Sequence, residues 1–149
     1  AWGQARSGGD SGPVRLQLQR GVREVTSTSR AFAALKDDGS VVSWGDAGYG
    51  GDSATVREQL AADVEHVHAT GAAFAAVKTG GAIVSWGSWY RGGDSTAVCR
   101  AIESGVKCIY STSEAFAAVK QTGFVVTWGS PSAGGNSEAV EGLLAMGVR

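Results

Sequence analysis

Gly39-Ser40-Val41-Val42-Ser43-Trp44-Gly45-Asp46-Ala47-Gly48-Tyr49-Gly50-Gly51-Asp52-Ser53 is the stretch that decides the fold, because it returns 42 residues later as Gly81-Ala82-Ile83-Val84-Ser85-Trp86-Gly87-Ser88-Trp89-Tyr90-Arg91-Gly92-Gly93-Asp94-Ser95. Working outward, Trp2 and Trp128 extend the same 42-residue step, each followed by Gly as Trp44 and Trp86 are. The glycine pair recurs with it as Gly8-Gly9-Asp10-Ser11 and Gly134-Gly135-Asn136-Ser137. Self-similarity at a fixed period of this length is the signature of a repeat architecture, in which each unit buries its apolar face against its neighbours. The chain therefore reads as one repeat domain over residues 1–149, with units starting at Trp2, Trp44 and Trp86 and a partial unit from Trp128.

Within a unit the apolar pattern predicts two kinds of element. Val56, Leu60 and Val64 stand at i, i+4 and i+8, the spacing of one helix face, behind Asp52 and Ser53 as capping residues. Val14, Leu18 and Val22, then Val98, Ile102 and Val106, then Val140, Leu144 and Val148, occupy the same places. Short β-branched runs follow at 25–28, 67–70 and 109–112, and then Ala31-Phe32-Ala33-Ala34, with counterparts at 73–76 and 115–118. The arm Val41-Val42-Ser43-Trp44 closes a hairpin with it. Both alternating faces of these strands are apolar or small, which predicts sheets covered on both sides. The expected fold is mainly β with short helices, each unit a short helix plus a small antiparallel sheet. About three and a half such units make an open arc or solenoid, the alternative being part of a β-propeller.

The unit, read as V-x-x-[IV]-x-[SA]-T-x-x-A-F-A-A-[LV]-K-x-x-G-x-[VI]-V-[ST]-W-G-x4-G-G-[DN]-S, resembles the regulator-of-chromosome-condensation repeat. That family also pairs an alanine-leucine strand with a G-x-V-x-x-W-G arm and a downstream glycine pair. This unit is shorter, has Ala-Phe where the family often has His-Thr, and has Gly-Gly-Asp-Ser for Gly-Gln-Leu-Gly. The resemblance covers essentially the whole chain and implies propeller-type blades. The wording is similar also to arrays in dinoflagellate algal proteins, which implies a plastid, thylakoid-associated setting, with a cytoplasmic one as the alternative.

Composition narrows the function. Hydrophobic residues make up 43% and charged residues 18%, with a formal net charge of -1, so no basic field exists to attract nucleic acid. Apolar runs fall well short of the roughly 20 residues that span a bilayer, which leaves peripheral association with a membrane complex as the only membrane role expected. Ordinary repeat grammar continues to both ends of the sequence, and the expectation is that a longer array or a partner covers the end faces.

Residues that could carry chemistry mostly belong to the repeat itself. Asp10, Asp52 and Asp94 sit beside glycines as calcium ligands often do, but each unit offers one carboxylate and the fourth has Asn136, so they read as caps. His66 and His68 have Glu24 and Cys108, Thr26 and Tyr110 as counterparts, and no third ligand accompanies them. Neither a catalytic constellation, a metal site nor a cofactor is expected. Cys99 and Cys108 occur in the third unit alone and could close a local disulfide or remain free thiols. Trp2, Trp44, Trp86 and Trp128, with Phe32, Phe74 and Phe116, read as the constant frame.

The four residues between Trp-Gly and Gly-Gly are the variables: Gln4-Ala5-Arg6-Ser7, Asp46-Ala47-Gly48-Tyr49, Ser88-Trp89-Tyr90-Arg91 and Ser130-Pro131-Ser132-Ala133. Variation within a rigid frame is where specificity is placed. Trp89, Tyr90 and Arg91 are the residue types most enriched at interface hot spots, with Tyr49 and Arg6 as further candidates. The expected function is a non-catalytic accessory or scaffolding subunit that binds protein subunits of a larger assembly, in a narrower form a peripheral subunit of a photosynthetic complex. The alternatives are a regulatory or exchange module for a small GTPase, which the family resemblance implies, and a carbohydrate or small-ligand binder.

Overall fold

The computed structural model describes residues 1–137, so the predicted helical positions Val140, Leu144 and Val148 lie outside the described residues. Three antiparallel three-stranded sheets follow one another, each in sequential strand order. They comprise β1 (Val22–Ser27), β2 (Ala31–Lys36) and β3 (Val41–Gly45), then β4 (Val64–Ala69), β5 (Ala73–Lys78) and β6 (Ile83–Gly87), then β7 (Val106–Ser111), β8 (Ala115–Lys120) and β9 (Val125–Gly129). The registers are the same in all three: Phe32 faces Trp44, Phe74 faces Trp86 and Phe116 faces Trp128. An irregularity recurs near the start of each first strand, between Val22 and Glu24, Val64 and His66, and Val106 and Cys108.

The two-sided apolarity of the middle strands follows from how the sheets share cores. One core joins Ala31, Ala33 and Leu35 of the first sheet to Val67, Phe74, Ala76 and Trp86 of the second, with Leu60 from the turn ahead of it. The next joins Ala73, Ala75 and Val77 to Ile102, Ile109, Phe116, Ala118 and Trp128. Successive side chains of β5 therefore go to different cores, Phe74 and Ala76 backwards and Ala73, Ala75 and Val77 forwards, as the period-2 alternation of a strand requires. Small Ala side chains let the sheets approach closely while Phe74 and Phe116 fill the space between them, both essentially fully buried.

Each Trp-Gly loop is bonded to the unit that follows it. The Trp44 indole N–H donates to the Gly8 carbonyl at 3.0 Å, Trp86 to Gly50 at 3.0 Å and Trp128 to Gly92 at 3.1 Å. Each indole also packs on its strand partner, with ring centroids 5.4 Å apart for Phe32–Trp44, 5.2 Å for Phe74–Trp86 and 5.3 Å for Phe116–Trp128. The glycine pair has two separate causes. Gly50 has φ +94°, and a Cβ there would lie 2.5 Å from a Phe74 ring carbon, while a Cβ on Gly51 would lie 2.3 Å from the Gly45 carbonyl oxygen. The first glycine admits a ring of the next sheet; the second lets the loop fold back on its own strand.

The structure corrects the predicted helix. Ala54–Val56 and Thr96–Val98 are single 3-10 turns, and among the described residues only the first unit adds a four-residue α-helix, Arg15–Leu18. Val22, Val64 and Val106 open the strands β1, β4 and β7 instead of closing a helix. The residue before each is left-handed: Gly21 at φ +70°, Asp63 at φ 65° and Gly105 at φ +70°. No α-helix continues through such a residue, so in the second and third units the i, i+4, i+8 spacing marks inward-facing positions on a turn and a strand, whereas Val22 of the first is 37% exposed.

Capping falls to the aspartates: Asp10 Oδ1 accepts from Gly12 N–H at 2.8 Å, Asp52 from Ala54 at 2.8 Å and Asp94 from Thr96 at 2.9 Å. The adjacent Ser53 and Ser95 hydroxyls pair with Ser43 and Ser85 on the strands, at 2.9 and 2.8 Å. Trp2 departs from the expected frame. It is 94% exposed, whereas Trp44, Trp86 and Trp128 each pack on a phenylalanine ring. No helix among the described residues is long and apolar enough to cross a membrane.

Candidate functional site

The variable loops share one backbone. Residues Ala5–Ser7, Ala47–Tyr49, Trp89–Arg91 and Pro131–Ala133 each form a 3-10 turn ending at a left-handed glycine. A threonine that sequence reasoning passed over anchors three of them. Thr28 Oγ1 donates to the Tyr49 carbonyl at 2.9 Å, Thr70 to Arg91 at 2.9 Å and Thr112 to Ala133 at 3.0 Å, and each also accepts from a backbone N–H at the start of the middle strand, 3.0 Å away. Its presence in every sheet-forming unit was the available signal. The loops are thus fixed platforms whose side chains alone differ.

Those side chains take different courses. Trp89 is 75% exposed and Tyr90 46% exposed, with their rings edge to face at 5.6 Å. Arg91 reaches the β7–β8 turn of the sheet that follows it, where its guanidinium pairs with Glu114 at 3.4 Å. That partner could not be read from the sequence, since it lies 23 residues on, in a turn of the next sheet. Tyr49, at the position matching Arg91, is half-buried and packs against the core between the first two sheets, with the Arg30 guanidinium 5.0 Å from its ring centroid. Arg6 is exposed on the first loop.

Trp89 and Tyr90 form one wall of a groove of about 570 Å³ between the third and fourth loops. Val98, Trp128 and Pro131 also line it, with Asp94 as the one charged lining residue among those described. The Asp94 carboxyl is held below the ordinary carboxylate range by the Thr96 hydroxyl and then the Thr96 backbone N–H, so it is an anion at neutral pH.

The remaining candidates are dispersed. Among the described residues no group of three or more His, Cys, Asp or Glu is placed to hold a metal ion. His66 is exposed and His68 half-buried, on either side of buried Val67 in β4. Burial, and then His66, push the His68 imidazole below its ordinary value, while Glu24 acts the other way. The possible Cys99–Cys108 disulfide is not made, and both are free thiols. Cys99 borders a groove with Gln59 and Ile83, whereas Cys108 sits in β7 opposite Val119, beyond the reversal at Gly105.

No protein-family model matches the chain, and no curated protein matches it in sequence. Solved structures do. Prp20p from Saccharomyces cerevisiae, described with its binding to Gsp1p and histones, superposes with a TM-score of 0.57 at 18% identity over 86% of this chain and 40% of its own. Yeast RCC1 (Prp20) bound to Kap60 gives a TM-score of 0.50 at 14% identity over 72% of this chain and 29% of its own. Human WBSCR16 gives 0.46 at 22% identity, over 72% and 33%. The chain spans less than half the length of these proteins. It has the RCC1-like repeat fold, built of small antiparallel blades that are not closed into a barrel.

Proposed function

We propose that the chain is a non-catalytic protein-docking module that presents side chains from the rigid loops after its Trp-Gly pairs, as an accessory subunit of a larger assembly. The observation that carries this is the exposed Trp89–Tyr90 pair on a loop whose backbone is fixed by Thr70. Large aromatics held in place by a preformed backbone lose little entropy on binding and bury much area, the combination found at interface hot spots. The aspartates that recur in the frame are occupied in capping, and the fold is shared with Prp20p, for which binding to Gsp1p and histones is described.

The narrower form, a peripheral subunit of a photosynthetic complex, rests on the resemblance to algal arrays. Recovering the protein only in fractions free of plastid membranes would overturn it. The docking reading is tested by gentle purification and crosslinking of the native assembly, followed by reconstitution with the Trp89→Ala/Tyr90→Ala chain. The double variant is expected to lose at least tenfold in partner recovery while keeping its thermal stability. Undiminished recovery would refute the placement of the interface at this loop.

A further inference from the structure

We infer that the groove beneath Trp89 and Tyr90 takes an extended, proline-bearing peptide segment with a basic residue, which rests on the docking reading and names the chemistry of the docked element. Three features of the groove lead there. Its exposed surfaces are flat and apolar: the two rings, Pro131 and Val98. A segment in polyproline II conformation is already extended and matches such aromatic-lined grooves at small entropic cost.

Second, several of the groove's polar atoms are already used within the protein. Thr127 Oγ1 donates to Ser137 Oγ at 3.0 Å and lies 3.3 Å from the Gly135 carbonyl, and the Trp128 indole N–H is spent on Gly92. Asp94 Oδ1 takes both Thr96 donors, at 2.9 Å from the amide and 2.6 Å from the hydroxyl. Carbohydrate recognition depends on polar groups that the ligand satisfies, and here the protein has satisfied these itself.

Third, among the described residues the charge in the groove has one sign. Asp94 is exposed and ionised, and Arg91, the nearest cation in sequence, is turned away to Glu114. A lysine or arginine of the incoming segment would complete the pair, with its neighbouring prolines on the rings. The corresponding loop of the second unit has Ala47 and Gly48 in place of Trp89 and Tyr90, so the aromatic wall belongs to this groove and is not part of the repeat.

The test uses the full chain and fluorescein-labelled (Pro-Pro-Arg)3 by fluorescence polarisation, with (Pro-Pro-Glu)3 and (Gly-Ser-Arg)3 as comparison peptides and chitohexaose as competitor. Saturable binding of (Pro-Pro-Arg)3 is expected, at least tenfold tighter than either comparison peptide and unaffected by the sugar. Trp89→Ala is expected to weaken it about thirtyfold. Asp94→Asn is expected to weaken it about fivefold and to remove its salt dependence. That variant keeps the fold, because Asn136 already stands at this position in the fourth unit.

Equal binding of the acidic peptide would overturn the cation, equal binding of the Gly-Ser peptide would overturn the proline segment, and displacement by chitohexaose would assign the groove to sugar. Failure of every peptide, with partner recovery still lost in Trp89→Ala/Tyr90→Ala, would reject this inference and leave the docking reading standing. Unchanged recovery in that variant would reject the docking reading itself.

Discussion

The loops Asp46–Tyr49 and Ser88–Arg91 share a backbone and differ in where their side chains go. In the first, the Asp46 carboxylate accepts from Gly48 N–H at 2.9 Å, Tyr49 turns to the core under Arg30, and nothing large projects outward. In the second, Trp89 and Tyr90 project into solvent and Arg91 bridges to the next sheet. Thr28 and Thr70 hold the two loops at the same point and the same distance. The comparison teaches that the repeat fixes loop conformation completely and leaves the choice of inward or outward side chains to each unit. A loop can therefore acquire a binding surface without any change of fold.

The largest way to break the comparison is to remove the frame that both loops share. Phe74 is fully buried and packs under Gly50 and against Trp86. Phe74→Ala should cost about 4 kcal/mol, checked by urea unfolding, and should loosen both loops together. Within the first loop, two adjacent-turn glycines separate frame from filler. Gly50→Ala places a Cβ 2.5 Å from the Phe74 ring at φ +94° and should cost about 3 kcal/mol. Gly48→Ala meets only Asp46 Oδ1 at 3.3 Å and should stay within about 0.5 kcal/mol.

A third measurement sharpens the inward and outward distinction. Tyr49→Ala should cost about 1 to 2 kcal/mol through lost packing and the Arg30 contact. Tyr90→Ala should leave the unfolding midpoint unchanged, within about 0.5 kcal/mol, while weakening partner binding. Equal stability losses would mean that both loops serve the fold.

The smallest effect lies away from the loops, at His68. Its pKa in the folded chain is below the ordinary value, so the unfolded chain binds more protons in the window just below about pH 6.5. Stability should fall as pH drops through that window, and His68→Gln should flatten the slope of the unfolding midpoint against pH. An unchanged slope would mean that His68 is solvated like exposed His66.

The strands, hairpins and constant frame were legible because each is a local pattern repeated at a fixed step: alternating apolar positions, a turn, a Trp-Gly pair. The helix was misread because three apolar residues spaced by four satisfy one helix face and also a turn followed by a strand. The left-handed backbone at Gly21, Asp63 and Gly105 decides between them, and Asp63 does not advertise it as glycine does. The outward character of Trp89 was readable from its departure from its siblings, but Tyr49 was not separable from it by composition. Only the packing of Tyr49 against the core between the first two sheets shows that it turns inward.

By itself the sequence determined the period, the three hairpins, and which positions are constant and which vary, since those depend on spacing along the chain. Tertiary structure alone decided that each middle strand divides its side chains between two cores, that each indole bonds a glycine carbonyl 36 residues earlier, and that Asp94 shares a groove with Trp89 and Pro131. Those relations depend on how one sheet is laid against the next, a geometry set by packing small alanines against buried phenylalanines, and no local pattern records it.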